Sequence, residues 1–225
     1  MNADSVLAAH TVSVRYERHT VLDRVDFTLP AGTTVGLAGP SGCGKSTLAA
    51  VLALLLTPNA GTVSVDGQIT PGFRYRAPRV LRTRVGIVFQ QPRLAVDPRL
   101  RLRQIMTEPL RATGHATEAA AAVDRLADLV GLTGELLDRH PHEVSDGQLQ
   151  RVCVARALAL RPRYLICDEM TTMLDASTQA LLVRSVRDYQ RDSGAGVLAI
   201  SHDPVLLDRW CDQVRTWPLT TRADR

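Results

Sequence analysis

The sequence predicts an α/β protein whose parallel-sheet core opens with a small antiparallel β layer and is interrupted by a helical insertion. Three observations carry that prediction. Apolar and polar residues alternate in short runs from Val6 to Leu29. Between Thr33 and Leu56 a buried strand runs into a glycine-rich loop and then an apolar helix. A long stretch without strand signal, Arg101 to Leu160, is followed by a strand–helix–strand unit from Tyr164 to Ile200.

The elements follow in order. Val12-Ser-Val14 and Val25-Asp-Phe27-Thr-Leu29 have the period of two expected of half-exposed antiparallel strands. Thr33 to Ala38 reads as a buried strand, and Ser46 to Leu56 as an apolar helix ended by Pro58-Asn-Ala-Gly61. Thr62 to Gly67 reads as a hairpin arm with an Asp-Gly turn, and Arg84 to Phe89 as the next strand. From Arg101 to Leu160 the periodicity is helical, with breaks expected at Pro109, Gly114, Gly131, Gly134 and Pro141. Strands return at Tyr164 to Cys167 and Gly196 to Ile200, separated by the helical run Ala176 to Tyr189, which makes a parallel βαβ arrangement.

At 225 residues, 45% hydrophobic and 22% charged, the chain has the composition of one ordinary globular domain, which excludes disordered, collagen-like and coiled-coil classes. The net charge of +4 raises nucleic acid as a partner, but the 27 basic and 23 acidic residues are interspersed. A nucleic-acid footprint clusters. The Arg74–Arg84 stretch and the group Arg93, Arg99, Arg101 and Arg103 come nearest, and both read better as a solvated face or a surface meeting another subunit. No nucleic-acid partner is expected. Cys43, Cys153, Cys167 and Cys211 lack metal or disulfide spacing, and fit a reducing cytosol. No run approaches 18 apolar residues, so the chain is expected neither to cross a membrane nor to be exported.

The chemistry is concentrated at two places. Gly39-Pro40-Ser41-Gly42-Cys43-Gly44-Lys45-Ser46, followed by Thr47, matches the phosphate-binding pattern G-x-x-x-x-G-K-[ST] between a predicted strand and a predicted helix. Backbone N–H groups of such a loop point at phosphate oxygens, and the helix dipole adds to the attraction. Lys45 is expected to reach the β- and γ-phosphates of ATP, and the Ser46 hydroxyl to ligate Mg²⁺. The second place is Arg163 to Glu169, an apolar strand ending on two carboxylates. Adjacent strand residues face opposite ways, so Asp168 can hold the Mg²⁺ shell while Glu169 is aimed at a water. Alone, Asp-Glu is an ordinary strand end; with the glycine loop it becomes a catalytic candidate.

With these residues in order, the chain resembles the ATP-binding subunits of ABC transporters over nearly its whole length. Val88-Phe-Gln90 is similar to the family's Q-loop, Val144-Ser-Asp-Gly-Gln148 to its signature, Met173-Leu-Asp175 to its D-loop and Ile200-Ser-His202 to its switch histidine. The resemblance implies a P-loop NTPase core of RecA-like type, with an N-terminal antiparallel β layer and an inserted helical subdomain. The core would span 1–90 and 162–225 and the helical subdomain 91–161. It also implies that Gln90 senses Mg²⁺ and the attacking water, that His202 contacts the γ-phosphate and Glu169, and that Tyr16 stacks under the adenine. Ser145, Gly147 and Gln148, with Asp175, would bind the nucleotide across a head-to-tail dimer. Ser145-x-x-Gln148 is also a capping box, and both readings can hold. Asp146 departs from the family's usual glycine, and it is expected to point away from the phosphate.

Gln91-Pro92-Arg-Leu-Ala-Val-Asp-Pro98-Arg99 and Glu108-Pro109-Leu110 are similar to the oligopeptide, dipeptide and nickel importer ATPases, with Ala95, Val96 and Asp97 departing mildly. That branch implies an ATPase powering uptake of peptides, nickel or a related solute. It would sit peripherally at the cytoplasmic face of the cell membrane. Its expected partners are two transmembrane permeases, a second and different ATPase subunit, and indirectly an extracytoplasmic solute-binding protein. Two alternatives stay open: a soluble ABC ATPase acting on nucleic acid or ribosomes, and a catalytically weak half of a heterodimer.

Overall fold

The computed structural model describes residues 5–17, 19–172 and 174–219. They form two compact units. The first comprises the chain up to Ile87, Arg163–Asp168 and the chain from Ser193; the second comprises Val88–Pro162 and Glu169–Asp192.

In the first unit, β1 (Val6–Tyr16) and β2 (His19–Pro30) pair antiparallel, as their alternation predicts. Leu7 and Ala9 lie on odd positions of β1, whereas Val12 and Val14 lie on even ones, yet all four are buried. The register shifts between Ala9 and Val12, with Thr11 at φ 46°, change the parity and keep both pairs on the core face. Next come β3 (Thr34–Ala38), α1 (Lys45–Leu52), β4 (Ala60–Val65) and β5 (Gln68–Ile69), and the antiparallel sheet runs β2-β1-β4-β5. The turn between β4 and β5 has Asp66 at φ 51° and Gly67 at φ 76°, the left-handed pair that an Asp-Gly hairpin turn requires. Short α2 (Arg79–Arg82) then leads into β6 (Val85–Val88).

The second sheet runs β6-β7-β8-β3-β9, with β7 (Tyr164–Asp168), β8 (Gly196–Ile200) and β9 (Gln213–Thr216). β3 is parallel to both β8 and β9, and β7 is parallel to β8. Every residue of β7 and β8 is buried, as near-continuous apolar runs demand. A single core joins Phe27 and Leu29 of one sheet to Leu37, Ile166 and Ile200 of the other, with Leu48 and Leu52 of α1.

Three sequence expectations change. The helix expected to reach Leu56 stops at Leu52, because Leu54 takes φ 60° while its side chain stays fully buried. The apolar run past Leu52 is therefore a core-facing turn. The helix α3 (Leu102–Ala112) runs through Pro109 instead of breaking there: proline falls near its end and removes one backbone donor, and Thr113 Oγ1 donates back to Pro109 O at 2.8 Å. Helix α7 (Pro204–Trp210) and β9 lie in a stretch for which the sequence signalled no element; Asp203 caps α7 by accepting from the N–H groups of Val205 and Leu206.

The second unit holds α3, α4 (Ala116–Leu129), α5 (Asp146–Leu158) and α6 (Ala176–Ser193). α3 packs against α4 and α5, burying Leu102, Ile105 and Met106 with Leu126, Leu149 and Val152.

Asp66 ties the hairpin turn to the parallel sheet. It accepts from Tyr164 Oη at 2.6 Å and Arg84 Nη1 at 2.7 Å, with Arg163 Nε at 3.2 Å. Removing this mostly buried acceptor leaves the buried Tyr164 hydroxyl without its partner and takes the ion pair from two half-exposed arginines. Asp66→Ala is expected to cost about 2 kcal/mol or more, read as a lower denaturant midpoint at unchanged m-value; a shift of less than a quarter of that contradicts the anchoring role.

Candidate functional site

Strand register brings the motif ends together within the first unit. Leu37 pairs with Ile200, and Ile200 pairs with Asp168, so the three lie in one row at the carboxyl end of the sheet. Gly39 and His202 each stand two residues beyond that row. Ligands of open parallel sheets collect at this edge.

The loop after β3 is shaped by close approach. A Cβ on Gly44, which sits at φ 111° immediately before α1, would lie 3.0 Å from Val21 O. Only glycine fits there. The Lys45 side chain is 4% exposed, and its Nζ donates to Gly39 O and Pro40 O, both at 2.8 Å. The ammonium is thus folded over the loop's own carbonyls. Ser46 Oγ donates to Asp168 Oδ1 at 3.1 Å, joining side chains 122 positions apart. A hydroxyl and a carboxylate side by side are the hard-oxygen donors that Mg²⁺ takes from a protein when substrate and water supply the rest. Among the described residues no three His, Cys, Asp or Glu side chains cluster for a metal. Tyr16 ends β1 opposite His19 with its ring half-exposed. His202 is exposed, and its neighbour Ser201 is buried.

In the second unit, Gln90 Nε2 donates to Glu169 Oε2 at 2.9 Å. Glu169 has φ 47°, a left-handed backbone conformation uncommon outside glycine. Ser145 caps α5: its Oγ accepts from Gln148 N at 3.2 Å, while Ser145 N donates to Gln148 Oε1 at 3.0 Å. The predicted capping box is present. Gly147 lies against Thr178, its absent Cβ 3.1 Å from Thr178 Cγ2.

Asp146 has a partner that sequence spacing did not reveal. Arg93 Nε donates to its Oδ1 at 2.7 Å, and the same guanidinium donates to Pro141 O at 2.9 Å and Val144 O at 3.0 Å. Gln150 was also missed. It is 1% exposed, and its Nε2 donates to Phe89 O at 3.0 Å. Neither partner of Arg93 or Gln150 is at a helical or strand spacing, so no local signal marks them. In the D-loop motif, Met173 lies outside the described residues. Asp175 accepts from the hydroxyls and N–H groups of Ser177 and Thr178, Thr178 Oγ1 at 2.7 Å. The Ser177 hydroxyl and then the Thr178 donors hold its carboxyl well below the usual carboxylate range.

Fold and motif order together define a P-loop NTPase with the cassette arrangement. The ABC transporter family model matches residues 22–172, and the chain belongs to that family. It is 44% identical over 185 residues to a peptide import ATP-binding protein of Brucella abortus (strain 2308), covering 81% of this chain and 55% of that one. It is 43% identical over 208 residues to the nickel import ATP-binding protein NikE of Rhodospirillum rubrum, covering 91% and 75%. The chain thus spans about half the length of the Brucella relative. The ATP-binding cassette MJ0796, solved as a post-hydrolysis dimer bound to ADP and Pi, superposes with a TM-score of 0.83 at 25% identity over 93% of each chain.

Asp175 carries a pH-dependent part of the stability. Because its folded pKa is depressed, the contribution is fully present above the ordinary value of 3.8 and is lost as pH falls below it. Asp175→Ala is expected to lower the unfolding midpoint by a few degrees at pH 7. The difference from the parent should shrink in acid; a pH-independent difference contradicts the ionised cap.

Proposed function

We propose that this chain binds and hydrolyses Mg²⁺-ATP and powers an importer for peptides, nickel or a related small solute. The observation that carries the nucleotide reading is the Ser46–Asp168 pair beside the glycine loop. The names of the peptide and nickel import relatives support the importer reading.

In this reading the N–H groups of Gly39 and of Ser41 to Thr47 cradle the phosphates, Pro40 shapes the loop without donating, and Lys45 exchanges its loop carbonyls for phosphate oxygens. Ser46, Asp168 and Gln90 would hold Mg²⁺, which would neutralise charge on the phosphates. Glu169 orients and deprotonates the attacking water, Gln90 holds the Glu169 carboxylate, and His202 contacts the γ-phosphate. Phosphoryl transfer needs such positioning and charge balance and no covalent help from the protein. Tyr16 stacks on the adenine. Ser145, Gly147, Gln148 and Asp175 serve the nucleotide of a second cassette in a head-to-tail dimer, taken to be a different chain.

The proposed partners are two permeases and, through them, an extracytoplasmic solute-binding protein, with the chain at the cytoplasmic face of the membrane. Among the described residues no helix is long and apolar enough to cross a membrane. We further propose that residues 91–161 work as a helical subdomain on a core of 1–90 and 162–225.

Glu169→Gln is expected to bind ATP and hydrolyse it roughly 10² to 10⁴-fold more slowly, the usual contribution of a positioned general base. Lys45→Ala should instead lose nucleotide affinity, since its charge meets the phosphates before reaction as well. Parent-like turnover in either variant contradicts the roles assigned.

Cysteines introduced between residues 91 and 161 should crosslink to the cytoplasmic helices of a co-purified permease. Crosslinks confined to the rest of the chain would move the docking surface elsewhere.

A further inference from the structure

The signature segment of this chain carries a carboxylate where a helix N-terminus is to receive an anion. Asp146 is the first residue of α5, flanked by Ser145 and Gly147. A carboxylate there is favoured by the helix dipole and competes with a phosphate for the same N–H groups. The chain supplies an arginine to the same spot. Arg93, in the 3₁₀ turn Pro92–Leu94 three residues after Gln90, donates Nε to Asp146 Oδ1 at 2.7 Å. One donor on each Nη reaches Pro141 O and Val144 O, two carbonyls of the segment leading into the helix. One guanidinium thus grips the carboxylate and the approach to the cap. Arginine's planar fork presents donors on three nitrogens to three such acceptors at once, which the single ammonium of a lysine does not.

We infer that Arg93 is a positioning residue for the signature site: it neutralises Asp146 and holds it off the anion position, so that the Ser145 hydroxyl and the Gly147 amide stay available to a γ-phosphate. The inference rests on the proposed reading of Ser145 and Gly147 as phosphate ligands. It differs from a plain salt bridge in its demand on Asp146. Both side chains are solvent-reached, at 47% and 64% exposure, where an ion pair contributes little to stability. The effect of losing Arg93 therefore falls on the anion site and not on folding. The pair also joins the segment that follows Gln90 to α5, as does Gln150 Nε2 with its bond to Phe89 O.

The test is steady-state ATP hydrolysis by the complex containing the full-length chain. Arg93→Ala is expected to lower kcat about tenfold at saturating ATP, the scale set by one uncompensated charge beside a bound anion. KM for ATP should stay within about twofold, because the glycine loop holds the nucleotide. The unfolding midpoint should not move. The defect should shrink as salt rises, since screening weakens repulsion between exposed charges. Adding Asp146→Gly to Arg93→Ala should restore most of the rate, and Arg93→Lys should restore part of it. Parent-like kcat in Arg93→Ala overturns the inference. So does a double variant as slow as Arg93→Ala, which would mean that Arg93 only tethers the carbonyls of Pro141 and Val144. Ser145→Ala run in parallel separates the two readings: a slow Ser145→Ala with a normal Arg93→Ala sinks the inference alone, and a normal Ser145→Ala sinks the phosphate-ligand reading and the inference with it.

Discussion

The two-sided pairing of β3 is the constraint on which the nucleotide loop depends. A loop that presents successive N–H groups to an anion gains affinity only if those groups are already aimed. β3 is hydrogen-bonded along its length to β8 on one side and β9 on the other, so its carboxyl end cannot swing. The same pairing sets where the loop's partners stand. Asp168 and Ile200 occupy one register row with Leu37, and beyond that row the chain after β8 continues to His202. Strand register thereby sets the row from which Asp168 and the ends of β3 and β8 are presented. Trp217 closes the other flank: its N–H donates to Ala38 O at 2.8 Å, and its Cβ lies 2.7 Å from where a Cβ on Gly39 would fall.

The start of α5 shows how one hydroxyl can serve two ends. Ser145 Oγ accepts from Gln148 N, which uses an oxygen lone pair and leaves the O–H as a donor. A capping serine therefore remains able to donate to an anion in front of the helix. Gln148 contributes its side-chain oxygen to Ser145 N, so the first turn is rigid from both sides. The capping role is thus compatible with the anion role proposed for this motif.

Much of this was legible in the sequence, for reasons that can be stated residue by residue. The period-two runs of β1 and β2, the apolar blocks of β7 and β8, the Asp66-Gly67 turn and the Ser145–Gln148 box are all local patterns, and each appears where expected. What the sequence hid is contact between distant positions. Arg93 was visible only as one member of a basic cluster, because its acceptor lies 53 positions away. Asp66 looked like an ordinary turn residue, although its carboxylate has three distant donors. Helix ends were hidden for a different reason: at Leu54 burial of the side chain overrides helical continuation, and at Pro109 the cost of one missing donor near a helix end is too small to stop the chain. At the proposed sites the motif residues are brought to the row and the cap, whereas their chemical roles rest on the family resemblance.

The Asp66 turn bears on how freely this domain can be redesigned. Two-residue hairpin turns are ordinarily the most exchangeable positions of a sheet, since Asn-Gly, Asp-Gly and Gly-Gly satisfy the same backbone geometry. Here the geometry would accept any of them, but the carboxylate is committed to Arg84, Arg163 and Tyr164. Backbone conformation and side-chain bonding thus impose separate demands on one residue, and only aspartate meets both. A loop graft chosen on turn statistics alone would keep the hairpin and release its anchor on β7, which Tyr164 begins, so this turn belongs with the core in any account of what the fold tolerates.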